Sequence, residues 1–390
     1  MGYVNEMTHK ERILAAMGKQ ETDYSPCLIF FNPLHKVTRE NRKFNFPWGE
    51  HATTHDVVKY CLETWNIPQL VHFHIPSRRM HKDVTVKTWK EGSLLYKQYD
   101  TPAGPLRAVV ECNAYWTHGD DIPLGTDWTA NFKKAWIEDE KDLECMKYLF
   151  IPWEPSPDEF KSLKENFTRI KNFADQYRLP VSTPGGMGLT LGLQLFLPEK
   201  LCLKVIENPA IVHEFLEMEH QCNRKVIELA GNFGVDIIQR NGFYETCDFY
   251  SPKMLEEFLE KRISDEVALT HQAGMKMMYT AHTGIMPMLD YLNRLNIDCI
   301  FGIDIAFPGV DLNKIKVKLF DKKSLFIGPS STHHLWNPDP QVTRNAVRTV
   351  YETFGKRGII LGPCVSMHSI MPWENLLAMI DEWKIINGLS

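Results

Sequence analysis

The sequence predicts an α/β protein built as a (β/α)8 barrel. After Ser156, six helix-then-strand repeats follow one another with short connections, which is the pattern of a parallel sheet. Two earlier apolar segments, residues 27–31 and 69–73, raise the predicted number of strands to eight. Eight parallel strands in a chain of 390 residues favour a barrel. The alternative is a doubly wound open sheet, but no glycine-rich phosphate fingerprint follows an early strand.

The first third of the chain is predicted to elaborate this barrel. Thr8 and Glu11 have the spacing of a capping box and begin a helix over residues 7–17. A second helix is predicted over 54–65, and a hairpin over 93–110 with its turn at 100–104. No linker-like composition separates this part from the rest, so we expect a single barrel domain over residues 1–390, with an N-terminal hairpin and loop elaborations.

The repeats alternate between helices and short apolar strands. Strands are predicted at 179–183, 235–239, 275–279, 298–302, 324–328 and 358–361. Helices are predicted at 157–177, 199–207, 210–232, 252–272, 286–295, 312–319, 339–354 and 373–387.

Composition excludes several classes of function. A net charge of -5 without a basic block argues against binding to nucleic acid. No apolar stretch approaches the roughly 20 residues that span a bilayer, and the N-terminus lacks the apolar core of a signal peptide. Nine cysteines without a CxxC pair fit a reducing compartment. The sequence therefore predicts a cytoplasmic protein that has neither a membrane nor a nucleic acid as partner.

Chemically useful side chains follow the predicted strands, and barrel enzymes place their active sites at the carboxyl ends of strands. His282 enters a turn with Gly284 and Pro287, and Cys364 ends a Gly-Pro-Cys turn. We expect these ends to converge on one site. The candidate residues at them are Met187, Asn241, Phe243, Tyr244, Glu245, His282, Asp304, His333 and Cys364.

Several of these motifs, in this order, resemble the uroporphyrinogen decarboxylase superfamily. The resemblance includes the opening helix over 8–17, the Asp23-x-x-Pro26 entry, and Ser251-Pro252. It continues with the histidine-glycine turn at 282–284, the Gly362-Pro-Cys364 turn, and the segment 371–376. It covers nearly the whole chain and implies a (β/α)8 barrel.

The superfamily has two functional branches, and the resemblance favours the second. Decarboxylases carry an arginine-rich loop after the first strand, but residues 30–35 contain no arginine. The other branch contains zinc-dependent methyltransferases that work with corrinoid proteins. In its coenzyme M enzymes a His-x-Cys pair and a later Cys bind the metal. Here His282 and Cys364 match two ligands, whereas Gly284 replaces the middle cysteine.

Methoxyaromatic demethylases of the same branch vary their ligands, and the resemblance implies Glu245 as the substitute. Cys247 is a competing candidate. Three protein ligands would leave zinc one open position for substrate. Tyr244 is predicted to protonate or orient the leaving oxygen, or only to pack. Substrate contacts are predicted for Met187, Asn241, Phe243, Asp304 and His333. Asp304 would alternatively orient the ligand histidine or cap a turn.

The function implied is O-demethylation of a small methoxylated aromatic. Its methyl group would pass to the cobalamin of a partner corrinoid protein, because nothing in the chain resembles an Asp-x-His-x-x-Gly cobalamin motif. Met187, Phe243, Tyr244, Phe307 and Trp336 are expected to form the pocket wall. Alternatives are a decarboxylase of a polycarboxylate and a non-catalytic barrel that binds corrinoid or folate. Association into a homo-oligomer is left open.

Overall fold

A computed structural model describes residues 6–33, 43–113, 116–125 and 131–389 of the chain. The strands, in chain order, are β1 (Phe31–Asn32), β2 (Val71–His72), β3 (Arg78–Arg79), β4 (Thr85–Glu91), β5 (Leu94–Thr101), β6 (Gly104–Glu111), β7 (Asn131–Lys134), β8 (Ile151–Pro152), β9 (Val181–Pro184), β10 (Ile237–Arg240), β11 (Lys276–Thr280), β12 (Cys299–Asp304), β13 (Ser324–Gly328), β14 (Ile359–Leu361) and β15 (Met367–His368).

The central sheet is parallel and runs in the order β14, β13, β12, β11, β10, β9, β2. Beyond β14, Cys27 bridges Leu361 in parallel, and the amide of Leu28 donates to the carbonyl of Leu361. β1 continues this pairing against β15. All eight predicted strand segments therefore lie in the sheet or extend it in parallel. The structure confirms the α/β class and the barrel-like architecture predicted from the repeats.

The helices cover the outside of this sheet. In chain order they are α1 (His9–Met17), α2 (Thr54–Trp65), α3 (Glu140–Met146), α4 (Pro157–Gln176), α5 (Leu189–Phe196), α6 (Pro198–Glu207), α7 (Pro209–Phe233), α8 (Pro252–Leu255), α9 (Lys261–Gln272), α10 (Leu289–Arg294), α11 (Leu312–Ile315), α12 (Pro340–Phe354) and α13 (Trp373–Asn387). A 3₁₀ turn occupies Met286–Met288, and π-helical segments occupy Glu256–Glu260 and Lys316–Phe320.

The first helix begins as its sequence predicts. The side-chain oxygen of Thr8 accepts from the amide of Glu11, and the Glu11 carboxylate accepts from the amide of Thr8. The buried face of α1 packs into a cluster with inward-facing strand residues, including Leu28 and Ile237. Side chains therefore fill this part of the barrel interior.

The predicted hairpin is part of a larger structure. β5 and β6 pair antiparallel as expected, but β4 and β7 flank them in a four-stranded sheet. A short antiparallel pair, β3 with β8, lies between this sheet and the barrel in the chain. The exposed, mostly polar face of β4 lacks the apolar alternation that would have signalled a strand.

Several helix predictions need correction. The predicted helices over 286–295 and 312–319 are divided by a 3₁₀ turn and a π-helical segment, respectively. The predicted helices do not include α5, in which Gly192 allows close packing against Leu201 of α6. The predicted helix over 252–272 is divided by the π-helical segment, and a π-bulge leaves no signal in periodicity. Among the described residues, none of the helices has the length and apolarity that crossing a membrane requires.

Candidate active site

A cavity of about 510 Å³ opens among the carboxyl ends of the strands. We call it the mouth cavity. Its apolar lining includes the rings of Phe30, Phe31, Phe243 and Phe301. Its polar lining is uncharged among the described residues at neutral pH and consists of Asn32, His72, Gln239, Asn241, Thr280 and Ser366. An uncharged, ring-lined cavity of this kind favours a flat apolar ligand with few polar substituents.

The walls of the mouth cavity are held by packing between strands. The rings of Phe30 and Phe301 meet edge to face with centroids 4.9 Å apart. His72 is fixed by a 3.0 Å hydrogen bond between its Nδ1 and the hydroxyl of Ser182, and burial lowers the pKa of His72. The aromatic wall is therefore ordered before any ligand arrives.

A second aromatic cavity of about 310 Å³ adjoins the mouth cavity. The two share Phe30, Phe31, Pro33 and His72. Trp48 packs edge to face on Phe31, with ring centroids 4.7 Å apart. The shared residues make the two cavities parts of one aromatic cleft above β1 and β2.

His282 lies against the wall of the mouth cavity. Its ring centroid is 5.2 Å from that of Phe243 and 6.1 Å from that of Phe301. Nδ1 is 3.4 Å from the carbonyl oxygen of Gly302, which only accepts, so Nδ1 carries the proton. Burial lowers the pKa of His282 to about 4, and the imidazole is neutral at pH 7. Its Nε2 is buried and has no hydrogen-bond partner among the described residues.

Gly302 lies close both to His282 and to the residue that follows Cys364. A side chain at Gly302 would sit 2.2 Å from Nδ1 of His282 and 3.0 Å from Val365, the residue after Cys364. Only a glycine permits this approach, and its φ of +95° also suits glycine. The Cys364 thiol is buried, and burial together with the nearby Asp304 carboxylate raises its pKa well above the ordinary value.

The missing middle cysteine has a steric explanation. Gly284 has a φ of +58°, and a Cβ there would lie 2.6 Å from the backbone nitrogen of Asp248. The amide of Cys247 also donates to the carbonyl of Gly284 at 3.3 Å. The backbone at 247–248 therefore occupies the space that a side chain at position 284 would need.

Glu245 is enclosed by a buried polar network and does not join His282 and Cys364. Its carboxylate forms an ion pair with Arg240, and both side chains are at most 1% exposed. Tyr279 donates its hydroxyl proton to the same carboxylate at 2.7 Å, and the amide of Leu189 donates at 2.9 Å. These donors satisfy Glu245 from several sides, which argues against the predicted ligand and catalytic roles.

The network continues from Arg240 to Glu266. Nε of Arg240 donates to Glu266 at 2.8 Å, and Nδ1 of His220 lies 3.0 Å from the same carboxylate. Burial alone would lower the pKa of Arg240, but Glu245 and Glu266 outweigh it and hold that pKa well above its ordinary value. The cluster ties β10 to α7, α9 and β11, so its role is structural.

The remaining candidates divide between the mouth cavity and other places. Asn241 and Phe243 line the mouth cavity, as the sequence predicts. Met187 lines a different cavity, and His333 is exposed outside the mouth cavity. Tyr244 packs edge to face on Phe249 and is not part of the described mouth-cavity lining. The hydroxyl that donates to the Glu245 carboxylate is that of Tyr279.

Asp304 forms a turn and does not orient His282. Its carboxylate accepts from the amide of Ala306 at 2.9 Å and from the hydroxyl of Ser330 at 2.7 Å. The carbonyl of Gly302 takes the orienting role that the sequence analysis offered to Asp304. Phe307 and Trp336, predicted as wall residues, are also absent from the described lining, where Phe30, Phe31 and Phe301 stand instead.

His282 fits the role of a metal ligand, because a buried Nε2 lone pair without a partner is what a metal would satisfy. A carbonyl that fixes the opposite nitrogen is the usual support for such a histidine. The described residues, however, contain no group of three His, Cys, Asp or Glu side chains placed to hold a metal. The predicted set of His282, Cys364 and Glu245 is thus not assembled, since Glu245 is held elsewhere.

Sequence reasoning missed most of the cavity wall. His72 and Gln239 belong to predicted strands and Thr280 directly follows one, and their positions near the carboxyl ends could have revealed them. Phe30 and Phe301 were assigned to strands without a role. The inward or outward direction of each side chain depends on the register of the sheet, which the sequence does not state.

A parallel α/β barrel with an uncharged cavity at its carboxyl face defines the class of the protein. In that class the barrel positions residues at strand ends for binding and chemistry. The family model described as uroporphyrinogen decarboxylase (URO-D) matches residues 126–385, which is more than half of the chain. The chain belongs to the uroporphyrinogen decarboxylase family, a family of enzymes, and no curated protein matched it in a sequence comparison.

Solved structures share this fold. A methyltransferase from Methanosarcina mazei is 12% identical, with a TM-score of 0.59 over 97% of this chain and 99% of its own. A B12-independent methionine synthase from Shewanella is 12% identical, with a TM-score of 0.35 over 58% of this chain and 66% of its own. A 3-keto-D-glucoside 4-epimerase from E. coli is 10% identical, with a TM-score of 0.35 over 58% of this chain and 86% of its own. The first shows a shared fold alone, and the other two carry no argument.

Proposed function

We propose that this protein transfers the methyl group of a small methoxylated aromatic compound to the cob(I)alamin of a partner corrinoid protein. The observation that carries the proposal is the mouth cavity, whose described lining combines four phenylalanine rings with uncharged polar groups. The shared fold with a methyltransferase over nearly the whole chain supports it.

The cavity suits an aromatic ether better than a smaller or charged methyl donor. Phenyl rings at edge-to-face angles accept another ring by stacking or by edge contacts. Methanol would leave most of a cavity of about 510 Å³ unfilled. A methylammonium ion would be better held by aromatic rings together with a nearby anion. The described lining of the mouth cavity contains aromatic rings but no aspartate or glutamate.

The reaction needs stabilisation of the leaving oxygen. Cobalt in the cob(I) state attacks the methyl carbon, the carbon–oxygen bond breaks, and its electron pair remains on a phenolate oxygen. Thr280, Gln239 and Asn241 line the cavity and carry protons that can be donated to such an oxygen. Zinc held by His282 and Cys364 is part of the proposal, and when bound it would act as a Lewis acid on the ether oxygen.

The test mixes the protein with a reduced corrinoid protein and follows the change from the cob(I)alamin to the methylcobalamin spectrum. Methoxybenzoates or methoxyphenols should produce it, whereas methanol and methylamine should not. Elemental analysis of the purified protein should show zinc, and His282→Ala should lower its content. A change driven by methanol or methylamine and by no methoxyaromatic would contradict the proposal.

Decarboxylation of uroporphyrinogen is the activity that the family description suggests, and we expect it to be absent. No lysine or arginine lines the mouth cavity among the described residues, so the many carboxylates of the substrate would be buried without partners. Each unpaired buried carboxylate costs several kcal/mol. Incubation with uroporphyrinogen followed by product chromatography should yield no coproporphyrinogen, and its formation would refute the methyltransferase assignment.

A further inference from the structure

A cavity of about 230 Å³ lies beside the mouth cavity and shares Asn241 with it. We call it the side cavity. The segment after β2, the loop after β9 and the end of β10 all contribute to its wall. Of the described residues that line the two cavities, Arg78 is the only lysine or arginine. This cation lies beside a mouth cavity whose described lining is uncharged, and its presence there requires an explanation.

Arg78 is held in place by packing, without a carboxylate. It begins β3 and pairs through its backbone with Pro152 of β8. Its guanidinium carbon lies 4.2 Å from the centroid of the Phe150 ring, a cation–π contact. Within the described part of the chain, no hydrogen bond or ion pair engages the guanidinium. Its planar fork of donors is therefore available to a ligand.

Glu219 only partly offsets the burial of Arg78: its charge raises the pKa of Arg78, but burial outweighs it and the pKa stays below the ordinary value. Glu219 is the acidic residue of the wall, and its carboxylate accepts from the amide of Met187 at 2.7 Å. Burial and the Glu266 carboxylate raise the pKa of Glu219. Burial also lowers the pKa of Arg78, and a bound anion would relieve that cost. Oε1 of Gln194 is buried in the same wall without a partner.

We propose that the side cavity is a carboxylate subsite, in which Arg78 binds the acid group of a substrate whose ring occupies the mouth cavity. The inference rests on the proposed function and narrows its substrate to methoxylated aromatic acids. Arg78 and a carboxylate match in geometry, because two parallel N–H groups meet two oxygens. Asn241 lines both cavities, so a ligand that spans them would pass beside it.

Binding measured without any corrinoid tests the subsite separately from methyl transfer. Isothermal titration calorimetry would compare 3-methoxybenzoate with 3-methoxyphenol, which carry a carboxylate and a hydroxyl group, respectively, at the same ring position. The wild type should bind the benzoate at least ~10-fold more tightly, the scale of a charge-assisted hydrogen bond. Arg78→Gln should weaken benzoate binding about 10- to 100-fold and change phenol binding less than about 2-fold. Arg78→Lys should fall between, because lysine lacks the planar fork.

Arg79 provides the matched control. It follows Arg78 in β3 but points to the other side, where it lies 3.6 Å from Glu159 and outside the side-cavity wall. Arg79→Gln should leave both affinities unchanged. Equal binding of the two probes by the wild type, no binding of either, or equal weakening of both by Arg78→Gln would overturn the subsite.

The two proposals can fail independently. Methyl transfer from 3-methoxybenzoate at the same rate in wild type and Arg78→Gln, at low substrate concentration, would keep the proposed function and remove the subsite. Arg78-dependent binding of 3-methoxybenzoate without methyl transfer from any donor would keep the subsite and remove the methyltransferase assignment. Thermal unfolding of each variant would show whether a loss of binding affinity comes from lower stability after removal of the Arg78–Phe150 contact.

Discussion

Replacing Glu245 with glutamine is expected to lower the free energy of unfolding by about 3–5 kcal/mol, the usual effect of removing one partner from a buried ion pair. The amide would bring donor groups towards Arg240, whose side chain is 1% exposed and cannot reach water. Tyr279 and the Leu189 amide would also lose a charged acceptor. Urea denaturation followed by circular dichroism would measure the change.

Glu256→Gln is a matched control for this variant. Glu256 forms an ion pair with Arg294, which also pairs with Glu260. Arg240 likewise pairs with two carboxylates, Glu245 and Glu266, so each substitution leaves its arginine with one remaining partner. The control pair is exposed to solvent, so its loss should cost less than about 1 kcal/mol. If Glu245→Gln instead kept the stability of the wild type and lost bound metal, Glu245 would be the ligand that the sequence suggested.

Gly302→Ala is expected to reduce methyl transfer about 100-fold, because small misplacements of a site residue have effects of that size. The added Cβ would lie 2.2 Å from Nδ1 of His282, which forces the ring to move. Displacement would also break the hydrogen bond to the carbonyl of Gly302. Besides the transfer rate, the imidazole nitrogen signals of His282 in NMR would report the movement without requiring activity.

Gly309→Ala separates this contact from backbone strain. Both glycines have a positive φ, +95° at Gly302 and +82° at Gly309, so alanine at either position carries a penalty of about 1–2 kcal/mol. Nothing lies within 4 Å of a Cβ at Gly309. The control variant should therefore lose some stability and keep both the transfer rate and the His282 signals. Equal losses of transfer in the two variants would mean that strain alone is responsible.

The sequence by itself determined the architecture. The regular alternation of helices and apolar strands after Ser156 predicts the parallel sheet, because hydrophobic periodicity reports which elements must be buried. The capping box at Thr8 and the limits of α2 and α13 also follow from local sequence, since caps and turns act over a few residues. Asn241 and Phe243 were found because the site of a barrel lies at strand ends.

Only the tertiary structure decided which strand-end residues face the mouth cavity. Phe243 and Tyr244 lie in the turn after β10, and this turn brings Phe243 to the cavity while Tyr244 packs on Phe249. Glu245 resembles a ligand in sequence, but Arg240, close by in the chain, takes its charge into a buried network. The other partners of Glu245, the Tyr279 hydroxyl and the Leu189 amide, come from distant segments, and the sequence does not indicate which segments will meet. Register and close packing settle that choice.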